Sequence, residues 1–95
     1  MGLRLRFTRR SREHLANIRR YIARDRPQSA ELVRGRILET ITVLGSSPRL
    51  GRIGQRQGTR AIVVAGLPYV IIYRIDVGDA DALVILGIFH VAQAR

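Results

Sequence analysis

The sequence predicts an α+β domain of order β-α-α-β-β-β, in which an antiparallel sheet carries a helical hairpin packed on one face. Three observations predict it. Leu3, Leu5 and Phe7 alternate with Arg4 and Arg6, the period of a one-sided strand. Over residues 8–45, apolar residues recur at three- and four-residue spacing in two stretches, parted by Asp25-Arg26-Pro27. After Gly58, three runs rich in β-branched residues are set apart by Gly66-Leu67-Pro68 and Val77-Gly78-Asp79. A chain of 95 residues is expected to form one domain over 1–95 with a single two-layer core.

Each element has its own reason. After the first strand, Thr8 offers a capping oxygen to a helix whose stripe is Leu15, Ile18, Tyr21 and Ile22, while Arg12, Glu13, Arg19, Arg20 and Arg24 face elsewhere. Pro27 suits the first position of a second helix, where its missing N–H has no partner to lose. Ala30, Val33, Ile37, Ile41 and Leu44 form that helix's stripe, and Gly45 with Pro48 is expected to stop it. Gly35 inside it costs about 1 kcal/mol relative to alanine, and either a close helix contact or a plain surface glycine accounts for it. Residues 46–58 are rich in Gly, Ser, Arg and Gln without apolar period, so a basic surface loop is expected. Strands follow over residues 59–65, 69–76 and 82–90, the last two apolar on both faces as in central strands covered on each side. Ile18, Ile41, Ile71 and Ile85 are expected between hairpin and sheet.

Composition narrows the function. All basic residues are arginine, and formal net charge is +10, with +11 on residues 1–60 and −1 on residues 61–95. A GC-rich genome explains much of the arginine bias, yet a domain of pI near 11.7 still attracts polyanions. Nucleic acid, a nucleoprotein machine or an acidic protein partner all fit. Cysteine is absent, which removes disulfides, thiolate metal sites and a cysteine nucleophile and suits the cytoplasm. The N-terminus interleaves Arg with Leu, so no signal peptide is expected, and the apolar run 61–73 is too short to span a membrane. There is no Gly-rich phosphate loop, HExxH or paired-carboxylate pattern, so no metal or nucleotide cofactor is expected.

Pro68-Tyr69-Val70-Ile71-Ile72-Tyr73-Arg74 resembles the P-Y-x-[IV]-x-Y-[RK] segment of the RelE/ParE superfamily of type II toxin–antitoxin toxins. Pro48-Arg49-Leu50-Gly51-Arg52 is similar to that family's P-x-x-G-R turn, Gly58-Thr59-Arg60 to its G-x-R strand start, and His90-Val91-Ala92-Gln93 to its H-x-A-[RQ] tail. The likeness covers essentially the whole chain. It implies a growth-inhibiting toxin, of the kind associated with plasmid stabilization, held in a hetero-oligomer by a cognate antitoxin.

Two outlets are known for that superfamily: ribosome-dependent mRNA cleavage and poisoning of DNA gyrase. Fold alone does not choose between them. In cleaving members the resemblance implies a basic cluster at positions that are Ala61, Val63, Val70 and Val91 here, all chemically inert. The ParE-like, gyrase-binding branch is therefore expected, without catalysis. If the chain were instead an mRNA endonuclease on the ribosome, His90, Arg60, Arg74 and Tyr69 or Tyr73 would be its acid–base and phosphate-binding set; a structural hydrogen bond is the plainer reading of His90. Arg52, Arg56, Arg60 and Arg74 are the candidates for contacting the target or antitoxin, with solvated loop charge the alternative for Arg52 and Arg56. His14 is expected to be a solvated surface residue, and Tyr21, Tyr69, Tyr73, Phe7 and Phe89 to pack in the core rather than stack on bases. A third class, a non-toxic basic nucleic-acid-binding domain, satisfies the charge but not the family resemblance.

Overall fold

Thr8 ends the first strand and starts the first helix. Its backbone is extended (φ −69, ψ 159), and its hydroxyl oxygen accepts the Ser11 N–H at 3.1 Å. Ser11, fully buried, donates its own hydroxyl to the Thr8 carbonyl at 2.9 Å. The computed structural model describes residues 2–78 and 81–93, so Asp79 of the expected last turn lies outside the described residues. The chain runs β1 (Arg4–Phe7), α1 (Arg9–Ala23), α2 (Pro27–Ser46), β2 (Arg52–Ile53), β3 (Thr59–Val63), β4 (Tyr69–Asp76) and β5 (Ala82–His90), then a 3-10 turn (Val91–Gln93). No helix among the described residues is long and apolar enough to cross a membrane.

Both helices lie on one face of the sheet. Ile37, Ile41 and Leu44 of α2 are buried in one cluster with Ile71 and Tyr73 of β4 and Leu83, Ile85 and Ile88 of β5, while Phe7, Leu15 and Ile18 pack against it. Ile41, Ile71 and Ile85 thus sit between hairpin and sheet as expected, with Ile18 at the margin. Each fully buried aliphatic side chain contributes about 1.5–3 kcal/mol relative to exposure. The β3–β4 turn places Gly66 at φ 76, which disfavours any side chain, and is closed by Val64 N–H donating to the Tyr69 carbonyl at 2.9 Å.

The β-α-α-β-β-β order and the one-sided hairpin hold, but the sheet is mixed rather than wholly antiparallel. Its order is β1-β5-β4-β3-β2, with β1 parallel to β5 and every other pair antiparallel. Parallel neighbours need a long crossover, and everything from α1 to β4 supplies it; side-chain alternation within β1 carries no record of its partner's direction. The basic loop contains a strand that had no apolar period to announce it: Arg52 pairs with Ala61 and Ile53 with Arg60. β3 stops at Val63 because the turn begins at Val64. Gly45 lies inside the last turn of α2, its carbonyl taking the Leu3 N–H at 2.8 Å. A Cβ on Gly35 would meet nothing within 4 Å, so this glycine serves no close contact. Tyr21 is 71% exposed, against the expectation that it packs in the core.

Candidate functional site

An irregularity in β5 decides what the second face of the sheet presents. Ile72 pairs with Gly87 but Tyr73 with Ile85, so Leu86 is an extra residue. Alternation restarts there: Leu83, Ile85 and Ile88 all join the core, whereas Gly87 and Phe89 turn to the opposite face. On that face Ala61, Val70, Ile72, Leu86, Gly87 and Phe89 floor an open cleft of about 590 Å³. The volume is that of a small-molecule or side-chain binding site. The apolar second faces of β4 and β5, expected to lie under another layer, are this floor.

Arginine borders the cleft. Arg10 comes from the first turn of α1, and Arg52 and Arg56 from β2 and the turn after it; no acidic side chain lines it among the described residues. Neither Arg52 nor Arg56 takes part in a salt bridge among the described residues. Two anchors, one from buried Tyr73 and one from half-buried Arg60, hold the segment that carries them. The Tyr73 hydroxyl accepts the Gly51 N–H at 2.9 Å and donates to the Pro48 carbonyl at 2.6 Å. Arg60 Nη1 donates to the Gly51 carbonyl at 2.8 Å and reaches the Arg49 carbonyl at 3.5 Å. A Cβ at position 51 would lie 2.5 Å from the Tyr73 hydroxyl and 2.9 Å from the Ala61 carbonyl, so this close approach requires glycine.

Phe89 forms one wall. A Cβ on Gly87 would come within 2.5 Å of its ring, so glycine leaves the space into which Phe89 folds. The Arg10 guanidinium lies 5.8 Å from the ring centroid, and the His14 ring stands edge-on at 4.7 Å. Phe89 is thus a cleft residue and not a core one. His14 is also not a solvated surface residue: it is half-buried, and its Nδ1 accepts the Ile88 backbone N–H at 3.1 Å. Burial and the neighbouring Arg10 push its pKa below the ordinary 6.5, and Glu13 only partly opposes them. No sequence pattern announced that contact, which joins residues 74 positions apart.

The residues that would serve an RNA-cleaving reaction do not converge. Tyr69 and His90 are paired neighbours at one end of β4 and β5, ring centroids 5.7 Å apart. Tyr69 is buried, and burial raises its pKa, with Tyr21 adding to the effect. Exposed His90 accepts the Ala92 N–H on Nδ1 at 3.2 Å. Arg74 lies five residues along β4, roughly 17 Å away at strand rise, and faces the other side. Its guanidinium is bound to the Asp76 carboxylate at 2.7 and 3.3 Å, a contact that holds Asp76 below the usual carboxylate range. Arg60 is committed to loop carbonyls. Of the four arginines singled out in the sequence, only Arg52 and Arg56 line the cleft. Of the four inert positions, Ala61 and Val70 are in its floor, while Val63 and Val91 are 51% and 43% exposed. No group of three or more His, Asp or Glu suited to a metal ion occurs among the described residues.

Residues 5–95 match the family described as the ParE toxin of the type II toxin–antitoxin system parDE. A protein of Sinorhizobium fredii (strain NBRC 101917 / NGR234), named "Putative toxin Y4kP", is 37% identical over 83 residues, covering 87% of this chain and 85% of that protein. The fold is shared with the chromosomal ParDE toxin–antitoxin system from P. aeruginosa, at a TM-score of 0.82 and 21% identity over 94% of this chain and 96% of that one. It is also shared with the RelBE2 toxin–antitoxin complex from Mycobacterium tuberculosis, at a TM-score of 0.66 and 26% identity over 95% and 99% of the two chains. Family match, relative and fold agree with the resemblance read from Pro68 to Arg74 and its flanking motifs: the chain belongs to the ParE toxin family of the RelE/ParE superfamily.

Proposed function

We propose that this toxin arrests growth in the cytoplasm by binding a protein target, DNA gyrase, rather than by cutting RNA, and that a cognate antitoxin neutralises it. One observation carries the reading: the open sheet face has an apolar floor where the cleaving relatives' basic cluster would fall, with Ala61 and Val70 in that floor. Cleavage through an RNA 2′-OH needs a base, an acid and cations fixed around one phosphorus. Among the described residues the cleft is lined by no histidine or carboxylate, and its arginines sit on the rim. Such a surface suits a protein segment that brings apolar side chains to the floor and carboxylates to the rim.

The same surface is a fitting seat for the antitoxin. A chain of net charge +10 favours an extended, partly acidic segment that folds as it binds. ParDE and RelBE2 are toxin–antitoxin systems, and a hetero-oligomer is proposed here by the same logic. Expression of the chain alone should arrest growth, and co-expression with the small neighbouring gene should restore it and yield a co-purifying complex. Harmless expression with no captured neighbour would count against toxin–antitoxin function. The double change Arg52→Glu and Arg56→Glu should weaken complex formation about tenfold or more by reversing the rim charge. Both side chains are exposed, so melting should hardly change; unchanged affinity in a well-folded double variant would remove the cleft as the binding surface.

A further inference from the structure

β1 is four residues long and its pairing with β5 ends at Phe7 and Ile85, so among the described residues the outer edge of β5 beyond that point has no strand beside it. Side chains from the start of α1 serve that edge instead. Thr8 donates its hydroxyl toward the Ile85 and Leu86 carbonyls at 3.2 and 3.3 Å, and His14 accepts the Ile88 N–H. The same imidazole bears edge-on against Phe89, and its Cε1 lies 3.3 Å from where a Cβ on Gly87 would be. One ring therefore touches both the sheet edge and the wall of the cleft.

We propose that His14 is a proton-operated latch on the cleft: with Nδ1 unprotonated it accepts the Ile88 N–H and holds Phe89 in place, and protonation releases both. The chemistry is a matter of donors and acceptors. An imidazolium carries a proton on each nitrogen, so Nδ1 would present a donor to the Ile88 donor and the bond would be lost. The groups facing His14 favour the neutral ring. On α1, Arg10 opposes a second positive charge, and Glu13, which favours one, is drawn 3.5 Å from Arg9 at the surface. From β5 come the Ile88 N–H and the Phe89 ring, and the cleft beyond is lined by Arg52 and Arg56 and, among the described residues, by no carboxylate. The latch is therefore closed at neutral pH and opens in mild acid, below 6.5. The sign for stability is the same: the folded pKa is the lower one, so the unfolded chain takes the proton first. The stabilisation from His14 is complete above the unfolded value and is lost as pH falls through the folded one.

That the latch regulates binding rests on the cleft being the antitoxin's seat; the latch itself does not. The test is NMR of the isotope-labelled full chain between about pH 7.5 and about pH 5, the range in which histidine titrates. The His14 ring, the Ile88 amide and the Phe89 ring should move together with one midpoint below 6.5, and His14 should hold its proton on Nε2 at neutral pH. His14→Gln, which offers an oxygen acceptor but does not titrate, should abolish the transition at Ile88 and Phe89. The proposal is overturned if His14 titrates while Ile88 and Phe89 stay unmoved, or if their transition persists in His14→Gln. In a parallel measurement, antitoxin affinity should fall about tenfold per pH unit below the midpoint in the parent and less steeply in His14→Gln. A clear transition at Ile88 and Phe89 with equal pH dependence of affinity in both proteins would uphold the latch and overturn its control of binding.

Discussion

Ile71→Ala is expected to destabilise the protein by about 2–5 kcal/mol, through lost burial and the cavity left behind. Ile71 is fully buried in the middle of β4, inside the cluster that includes Ile37, Ile41 and Leu44 of α2 and Ile85 of β5. It pairs with Ile62 on one side and Ile88 on the other, so the backbone around it has little freedom to collapse into the void. Ile85→Ala should behave alike, whereas Ile18→Ala should cost less because Ile18 is only partly buried. Urea unfolding of the three variants checks the order. An Ile71→Ala protein that unfolds at the parent's midpoint would refute the packing of hairpin against sheet.

Tyr73→Phe should cost about 1–3 kcal/mol, although it removes a single oxygen. The Tyr73 side chain is completely buried, and its hydroxyl is the partner of both the Gly51 N–H and the Pro48 carbonyl. Phenylalanine fills the same space but leaves those two backbone groups without that partner. The loss should appear locally first: amide exchange at Gly51 should quicken, and the β2 segment carrying Arg52 should loosen while the core persists. Amide hydrogen exchange with parallel melting curves measures both effects. Protection at Gly51 equal to that of the parent would show that another group holds the loop.

Periodicity made the architecture legible. The stripe Ile37–Ile41–Leu44 places one face of α2 inward, and burial follows it. Thr8 and Pro27 marked the two helix starts because capping and proline geometry are local. What escaped was non-local or two-sided. A period of two in β1 says which side chains share a face but not that β5 runs parallel to it. Apolar residues on both faces of β4 and β5 suggested a second covering layer; the structure has a cleft there, because the extra residue Leu86 and the glycine at 87 let Phe89 fold along an open floor. The candidate site was half legible for the same reason. Arg52 and Arg56 belong to a loop whose polarity marks it as surface, and they line the cleft. Arg60 and Arg74 have the same chemistry but are taken by the Gly51 carbonyl and the Asp76 carboxylate. His14 looked like any polar residue on a charged helix, and only the short reach of β1 gives it the Ile88 N–H to accept.

The proposed mode of action stands or falls on one comparison, in which the purified toxin is added in parallel to gyrase supercoiling reactions and to translating ribosomes programmed with mRNA. The expected result is inhibited supercoiling with intact mRNA, and toxicity nearly unchanged in a well-folded His90→Ala variant, since among the described residues the His90 side chain makes its bond to the Ala92 N–H and its edge contact with Tyr69 and no other polar contact. The contradicting result is ribosome-stimulated mRNA cleavage that falls on the order of a hundredfold in that same folded variant, as removal of a proton-transfer group would require.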